Sequence, residues 1–168
     1  MSDEHQILEQ RARTLARPRS TLAERSTLAV FERAGVRYAI DPRFVYEVAR
    51  APRPTALPRS ERHWLGVTSL HGELIAVADL PVLLGDDAAT HAEESTLLLV
   101  LGVEARELAI EVDAVLEPVR ADVPRHEPPH TDAASSLIEG VTEDGLRVVR
   151  GERLLSDPRL TVNSSLET

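Results

Sequence analysis

The sequence predicts a mainly β fold, and three observations support that prediction. After Arg19 the apolar runs are short and rich in β-branched residues, with turn residues recurring at intervals of roughly 8–12 residues. Some runs alternate cleanly, so that Val36, Tyr38 and Ile40 fall on one face of a strand. Strands do not alternate with long helices, which argues against a doubly wound or (β/α)8 fold. We therefore expect about eight or nine strands in a sandwich, a barrel or two small barrels.

A short helix is predicted ahead of the β region, over residues 5–16, where apolar residues recur near helical spacing. Pro18 ends it, because proline cannot continue the hydrogen-bond ladder and restricts the residue before it. The predicted organisation is a helix and linker over 1–22, a β domain over 23–160 with two barrel subdomains, and a flexible tail over 161–168.

Four hairpins are predicted within the β domain. Their arms are 28–31 with 36–40, 65–70 with 74–78, 96–103 with 108–112, and 137–142 with 146–149. The turns between the arms are Ala34-Gly35, His71-Gly72, 104–107 and 143–145.

The remaining segments are assigned from their length and their prolines. Residues 44–48 are predicted to form a separate strand, and 115–119 to continue the third hairpin. Residues 51–58 are expected to be an extended loop, because their three prolines cannot all sit in a ladder. Single helical turns are expected at 80–84 and 152–155. The acidic loop 86–94 is a candidate boundary between two barrels.

Composition excludes several classes of function. The net charge of −9 disfavours binding to nucleic acid or to anionic lipid. The absence of cysteine excludes disulfides, cysteine nucleophiles and thiolate zinc sites, and the absence of lysine excludes a P-loop lysine or a Schiff base. The N-terminus is too polar for a secretory signal, and no apolar run approaches the ~20 residues that span a bilayer. We expect a cytoplasmic protein.

One motif points to chemistry. His126-Glu127-Pro128-Pro129-His130 matches the H-E-x-x-H pattern of zinc hydrolases. That pattern binds zinc only on a helix, and the two prolines oppose a helix here. A polar surface loop is favoured, and a metal-dependent hydrolase that uses His126, Glu127 and His130 remains an alternative.

No other pattern predicts catalysis. The glycines form neither a phosphate-binding loop nor a hydrolase nucleophile elbow. Asp79, Glu111 and Asp113 are candidate paired carboxylates, but the sequence cannot place them within reach of one another, and each also suits the end of a strand. We therefore predict an interaction domain without enzymatic activity, cofactor or metal.

The central hairpin carries a resemblance to a known family. Residues 65–80 read LGVTSLHGELIAVADL and resemble the G-V-x-N-L-R-G-x-x-x-P-V-x-D-L signature of the CheW family. Other segments match the family in the same order from about residue 27 to residue 155. They are F-x-x-x-G-x-x-Y-A-I at 31–40, V-x-E-V at 45–48, v-D-x-V at 112–115 and I-x-G-v at 138–141.

The resemblance implies a fold, a function and a site. CheW proteins are two packed SH3-like β-barrels that bridge the cytoplasmic tip of methyl-accepting chemoreceptors and the regulatory domain of a CheA-type histidine kinase. They bind no cofactor and are not enzymes, and they act in the cytoplasm at membrane-bound receptor arrays. Carried over onto this sequence, the partner-binding residues are Val45, Glu47, Gly66, His71 and Gly72.

The chain departs from the family pattern at the turn. His71 stands where the family has arginine, and Ser69 where it has asparagine. Arginine is a permanent cation with a fork of donors, whereas histidine is mostly neutral near pH 7. We therefore expect a divergent copy that serves an alternative array. A CheW-like regulator or competitor that has lost receptor coupling is the second alternative.

Overall fold

Strands form most of the structure, a computed structural model that describes residues 25–87, 94–122 and 135–161. The strands are β1 (Arg25–Arg33), β2 (Val36–Ile40), β3 (Val45–Pro52), β4 (Trp64–Leu70), β5 (Glu73–Ala78), β6 (Ser95–Leu101), β7 (Leu108–Val112), β8 (Ala114–Asp122), β9 (Ile138–Val141) and β10 (Arg147–Val149). The helices are α1 (Leu80–Leu83) and α2 (Gly151–Leu155), with 3₁₀ turns at Pro42–Phe44, Ser135–Leu137 and Pro158–Leu160. The predicted N-terminal helix lies outside the described residues.

The strands form two five-stranded sheets, in the orders β8-β1-β2-β10-β9 and β3-β6-β7-β5-β4. Each sheet has one parallel pair, β2 with β10 and β5 with β7, and its other pairs are antiparallel. Strands β8, β9, β10, β1 and β2, taken in that order, occupy the same relative positions in the first sheet as β3, β4, β5, β6 and β7 occupy in the second. The sheets therefore share one topology, related by a circular permutation, and the predicted mainly β fold of two small barrels is confirmed.

The second sheet is inserted within the first. Strands β1 and β2 precede it in the chain, and β8 to β10 follow it. The acidic loop 86–94 joins two parts of the second sheet, so its suggested role as the boundary between barrels is wrong.

The path of β8 also differs from the prediction. Residues 115–119 do not continue the third hairpin, because Ala114–Asp122 pairs with β1 in the other sheet. Asp113 lies between β7 and β8, where the chain passes from the second sheet to the first, and its amide donates to the Glu32 carbonyl at 2.8 Å. Its carboxylate accepts from the Ala34 amide at 2.7 Å. These two bonds bind the end of β7 to the β1–β2 turn and direct the next strand into the first sheet.

The apolar core has three parts, and the largest lies between the two sheets. Strand β6 is buried on both faces. Leu99 and Leu101 pack into the core between the sheets, and Leu98 and Val100 pack into the interior of the second barrel. A strand covered on both sides has no polar face, which explains the uninterrupted apolar run over 97–101.

The proline-rich segment is only partly a loop. Ala51 and Pro52 belong to β3, and Thr55 forms an antiparallel bridge with Val67 through bonds of 2.8 and 3.0 Å. The bridge ties the chain beyond β3 to β4. It requires glycine at position 66, because a Cβ there would lie 2.0 Å from the Thr55 carbonyl oxygen and the φ angle is +133°.

Candidate functional site

The β4–β5 turn presents the first part of the site. Leu70 and Glu73 close the ladder, leaving His71 and Gly72 as the two central residues with φ angles of +52° and +81°. Positive φ at both positions is what a type I′ hairpin turn requires, and histidine enters this region more readily than most residues. The turn holds the His71 side chain outward, with 55% of it exposed.

Glu47 connects this turn to two other elements. From β3, its Oε2 lies 3.1 Å from Nε2 of His71, and its Oε1 accepts a bond from Nε of Arg106 in the β6–β7 turn. The Arg106 bond holds the pKa of the Glu47 carboxyl below its usual value; partial desolvation opposes this shift and the His71 bond adds to it. Glu47 therefore remains ionised between two donors.

Arg106 makes two further contacts. Its Nη1 lies 3.5 Å from a carboxylate oxygen of Glu73, and its guanidinium lies 5.3 Å from the centre of the Tyr46 ring. The distance to the ring is within the range of a cation–π contact. Arg106 thus joins residues of β3 and β5 on one surface.

Leu74 follows Glu73 on β5 and adds an exposed apolar side chain at this end of the hairpin. Its side chain is 79% exposed, although we would assign a leucine in this hairpin to the core from the sequence. A large exposed aliphatic side chain beside a polar rim is typical of a protein-binding surface. We refer to this surface as the docking face. It comprises Tyr46, Glu47, His71, Gly72, Glu73, Leu74 and Arg106.

An open groove of about 570 Å³ continues from the docking face. Leu57, Trp64, Val67 and Leu74 contribute apolar surface to it. Five charged residues also line it: Arg59, Glu61, Glu73, Arg106 and Glu107. A groove with apolar walls and a few charged groups suits an inserted side chain from a partner.

The other predicted site residues lie in different settings. Gly72 is exposed in the turn, next to His71. Gly66 is buried and makes room for the Thr55 bridge, so the structure gives it a role in the backbone. Val45 is half-buried and packs against the core between the sheets. Partner contact by all five of these residues, Val45, Glu47, Gly66, His71 and Gly72, stays a prediction.

The candidate carboxylates Asp79, Glu111 and Asp113 do meet, but they meet around Arg33. The guanidinium lies 3.1 Å from Asp79, 2.9 Å from Glu111 and 3.1 Å from Asp113, and the Arg33 side chain is fully buried. Arg33 comes from the first sheet, whereas Asp79 and Glu111 come from the second. The cluster therefore joins the barrels through charge, and its carboxylates are occupied by a permanent cation.

The structure does not describe His126, Glu127 and His130, which lie outside its three ranges. Within those ranges, no group of three or more histidine, aspartate or glutamate side chains is arranged to hold a metal ion. No helix in the described part of the chain is long and apolar enough to cross a membrane.

The sequence contained a signal for one of the residues that we missed. Leu74 pairs across the hairpin with Ser69, and a polar partner on that face indicates solvent. Arg106 has no such signal, because it reaches Glu47 over 59 residues of sequence and lies in an unremarkable turn.

Comparisons with known proteins agree with this fold. The family model of the CheW-like domain matches residues 27–159. Among solved structures, the crystal structure of scaffolding protein TtCheW from Thermoanaerobacter tengcongensis is similar, with a TM-score of 0.60 and 24% sequence identity. The similarity covers 75% of this chain and 89% of that chain. A comparison with curated proteins found no match.

Proposed function

The chain belongs to the CheW-like domain family, and from that premise we propose that it is a non-enzymatic scaffold in chemosensory signalling. In this proposal it couples the cytoplasmic tip of a methyl-accepting chemoreceptor to the regulatory domain of a CheA-type histidine kinase. It acts in the cytoplasm, at membrane-bound receptor arrays.

The docking face is the observation that carries the proposal. Leu74 is 79% exposed and lines a groove to which Leu57, Trp64 and Val67 also contribute, so that one partner could cover the side chain and the groove together. The ion pairs of Glu47 with His71 and of Glu73 with Arg106 lie at the same hairpin. Such an arrangement supports recognition, because a central apolar residue within a polar rim supplies most of the binding energy of many interfaces.

The polar residues of the docking face support the proposal that this chain is a divergent member of the family. By resemblance, position 71 carries an arginine in CheW proteins, and this chain has histidine there. In this chain the guanidinium that contacts Glu47 belongs to Arg106, in the β6–β7 turn. Since the cation approaches from a different turn, the face presents its charge at a different point, which favours the partners of an alternative array.

The test is binding of the full chain to the regulatory domain of a CheA-type kinase and to a receptor tip fragment from the same organism, measured by calorimetry. Leu74→Ser should weaken binding to at least one partner by roughly tenfold or more, as expected for a buried anchor residue. Val141→Ser is the matched control, because Val141 is 54% exposed on the other sheet.

Each outcome has a definite meaning. Absence of binding to both fragments by the unmodified chain would overturn the coupling function. Equal losses for Leu74→Ser and Val141→Ser would reject the docking face while leaving the coupling function in place. Binding to the kinase domain without binding to the receptor tip would favour the regulator or competitor that has lost receptor coupling.

A further inference from the structure

Both oxygens of the Glu47 carboxylate are already occupied. Oε1 accepts from Arg106, and Oε2 lies 3.1 Å from Nε2 of His71. Since a carboxylate only accepts hydrogen bonds when ionised, Nε2 of His71 must be the donor in that contact. The Arg106 and His71 contacts lower the pKa of the Glu47 carboxyl and so favour its ionised form, although desolvation opposes them.

The contact therefore determines where a neutral His71 carries its proton. A neutral imidazole has one N–H and one nitrogen with a lone pair, and the hydrogen bond of one nitrogen sets the state of the other. With the proton on Nε2, Nδ1 carries the lone pair. In the part of the chain that the structure describes, Nδ1 has no hydrogen-bond partner, and the side chain is 55% exposed.

We propose that His71 is a specificity-determining residue of the docking face, and that in the neutral imidazole its outward Nδ1 is an acceptor that selects a partner carrying a hydrogen-bond donor at that point. The inference rests on the proposed function, whose binding site it refines. A hydroxyl, an amide N–H or a basic side chain meets the requirement, whereas a carboxylate does not. An arginine at position 71 would require a hydrogen-bond acceptor on the partner, because arginine has donors and no acceptor.

Arg106 is the positioning residue for this arrangement. It occupies Oε1 of Glu47 and stacks over Tyr46, so the carboxylate is held with Oε2 directed at His71. The charged groups around the imidazole are Glu47 on β3, Glu73 on β5 and Arg106 on the β6–β7 turn. Without Arg106, Glu47 loses the contact that fixes its orientation.

The tautomer can be read directly in the free, full-length protein. Nitrogen-15 NMR of the imidazole at about pH 8, above the ordinary histidine pKa of about 6.5, distinguishes a protonated from an unprotonated ring nitrogen. We expect Nε2–H and an unprotonated Nδ1 in the native protein, and a mixture of tautomers in Arg106→Ala and Glu47→Ala. Arg153→Ala and Glu104→Ala are matched controls, since both residues are exposed and neither side chain has a described contact. A native Nδ1–H tautomer would overturn the inference. A native Nε2–H tautomer that persists in Arg106→Ala would overturn the positioning role of Arg106.

Binding to the same kinase domain and receptor tip tests the choice of partner. His71→Gln keeps one donor and one acceptor and should retain affinity to within about threefold, whereas His71→Arg should lose roughly tenfold, as for an unsatisfied polar contact. Unchanged or tighter binding by His71→Arg would reject the acceptor role, and a large gain would favour the regulator that has lost coupling. If the native chain binds neither fragment, the proposed function is rejected. The assignment of the His71 tautomer is then tested by the NMR measurement alone.

Discussion

Replacing Arg33 by methionine should destabilise the protein strongly. The Arg33 side chain is fully buried, and two of its carboxylate partners are nearly so, with 0% of the Asp79 side chain and 10% of the Glu111 side chain exposed. Methionine fills much of the same space but leaves both carboxylates without a cation. Breaking a buried ion pair from one side costs about 3–5 kcal/mol. For a chain of this size that corresponds to a fall in Tm of roughly 6–20 °C.

The assay is urea unfolding followed by the fluorescence of Trp64, the single tryptophan of the sequence, and by circular dichroism. Adding Asp79→Leu and Glu111→Met should recover most of the loss, since an apolar replacement of a whole buried cluster is often tolerated. A loss below about 1 kcal/mol at pH 7, or a triple variant no more stable than Arg33→Met, would refute the reasoning.

Two further predictions concern stability. Gly66→Ala should lower the free energy of unfolding, measured with denaturant, by at least about 2 kcal/mol, because its Cβ would collide with the Thr55 carbonyl. Gly85→Ala is the control: its Cβ would meet open space at a φ of +94°, so the free energy of unfolding should fall by only about 1–2 kcal/mol. Equal losses would show that the Thr55 contact does not matter. For Asp157, desolvation raises the pKa of the carboxyl, but the bonds from Arg159 outweigh it and leave the pKa below its ordinary value. Its stabilising effect is therefore present above the unfolded aspartate pKa of about 3.9 and is lost as the pH falls through the folded value, so the stability advantage over Asp157→Asn should shrink in acid. An advantage that grows on acidification would contradict this assignment.

Much of the local structure could be predicted because it depends on neighbouring residues. The Ala34-Gly35 and His71-Gly72 turns lie between apolar arms and form hairpins in the structure as predicted. Leu80–Leu83 and Gly151–Leu155 are single helical turns as expected, within one residue at their ends. The order of the motifs also predicted the CheW-like family, whose model matches residues 27–159.

The partners of distant residues could not be predicted in this way. Alternation shows which side of a strand is apolar, but it does not tell which sheet the strand joins. Strand β8 follows β7 after one residue and yet pairs with β1, because Asp113 binds the β1–β2 turn. For the same reason, the insertion of one barrel within the other has no local signal.

By itself, the sequence determined most of the strands and turns and, through the order of its motifs, the family, since these depend on side-chain periodicity, backbone preferences and local residue patterns. Only the tertiary structure decided that Arg33 gathers three carboxylates between the barrels and that Arg106 holds Glu47 against His71. Electrostatic and hydrogen-bonding partners are selected by proximity in space, and that proximity exists only once the two sheets have packed together.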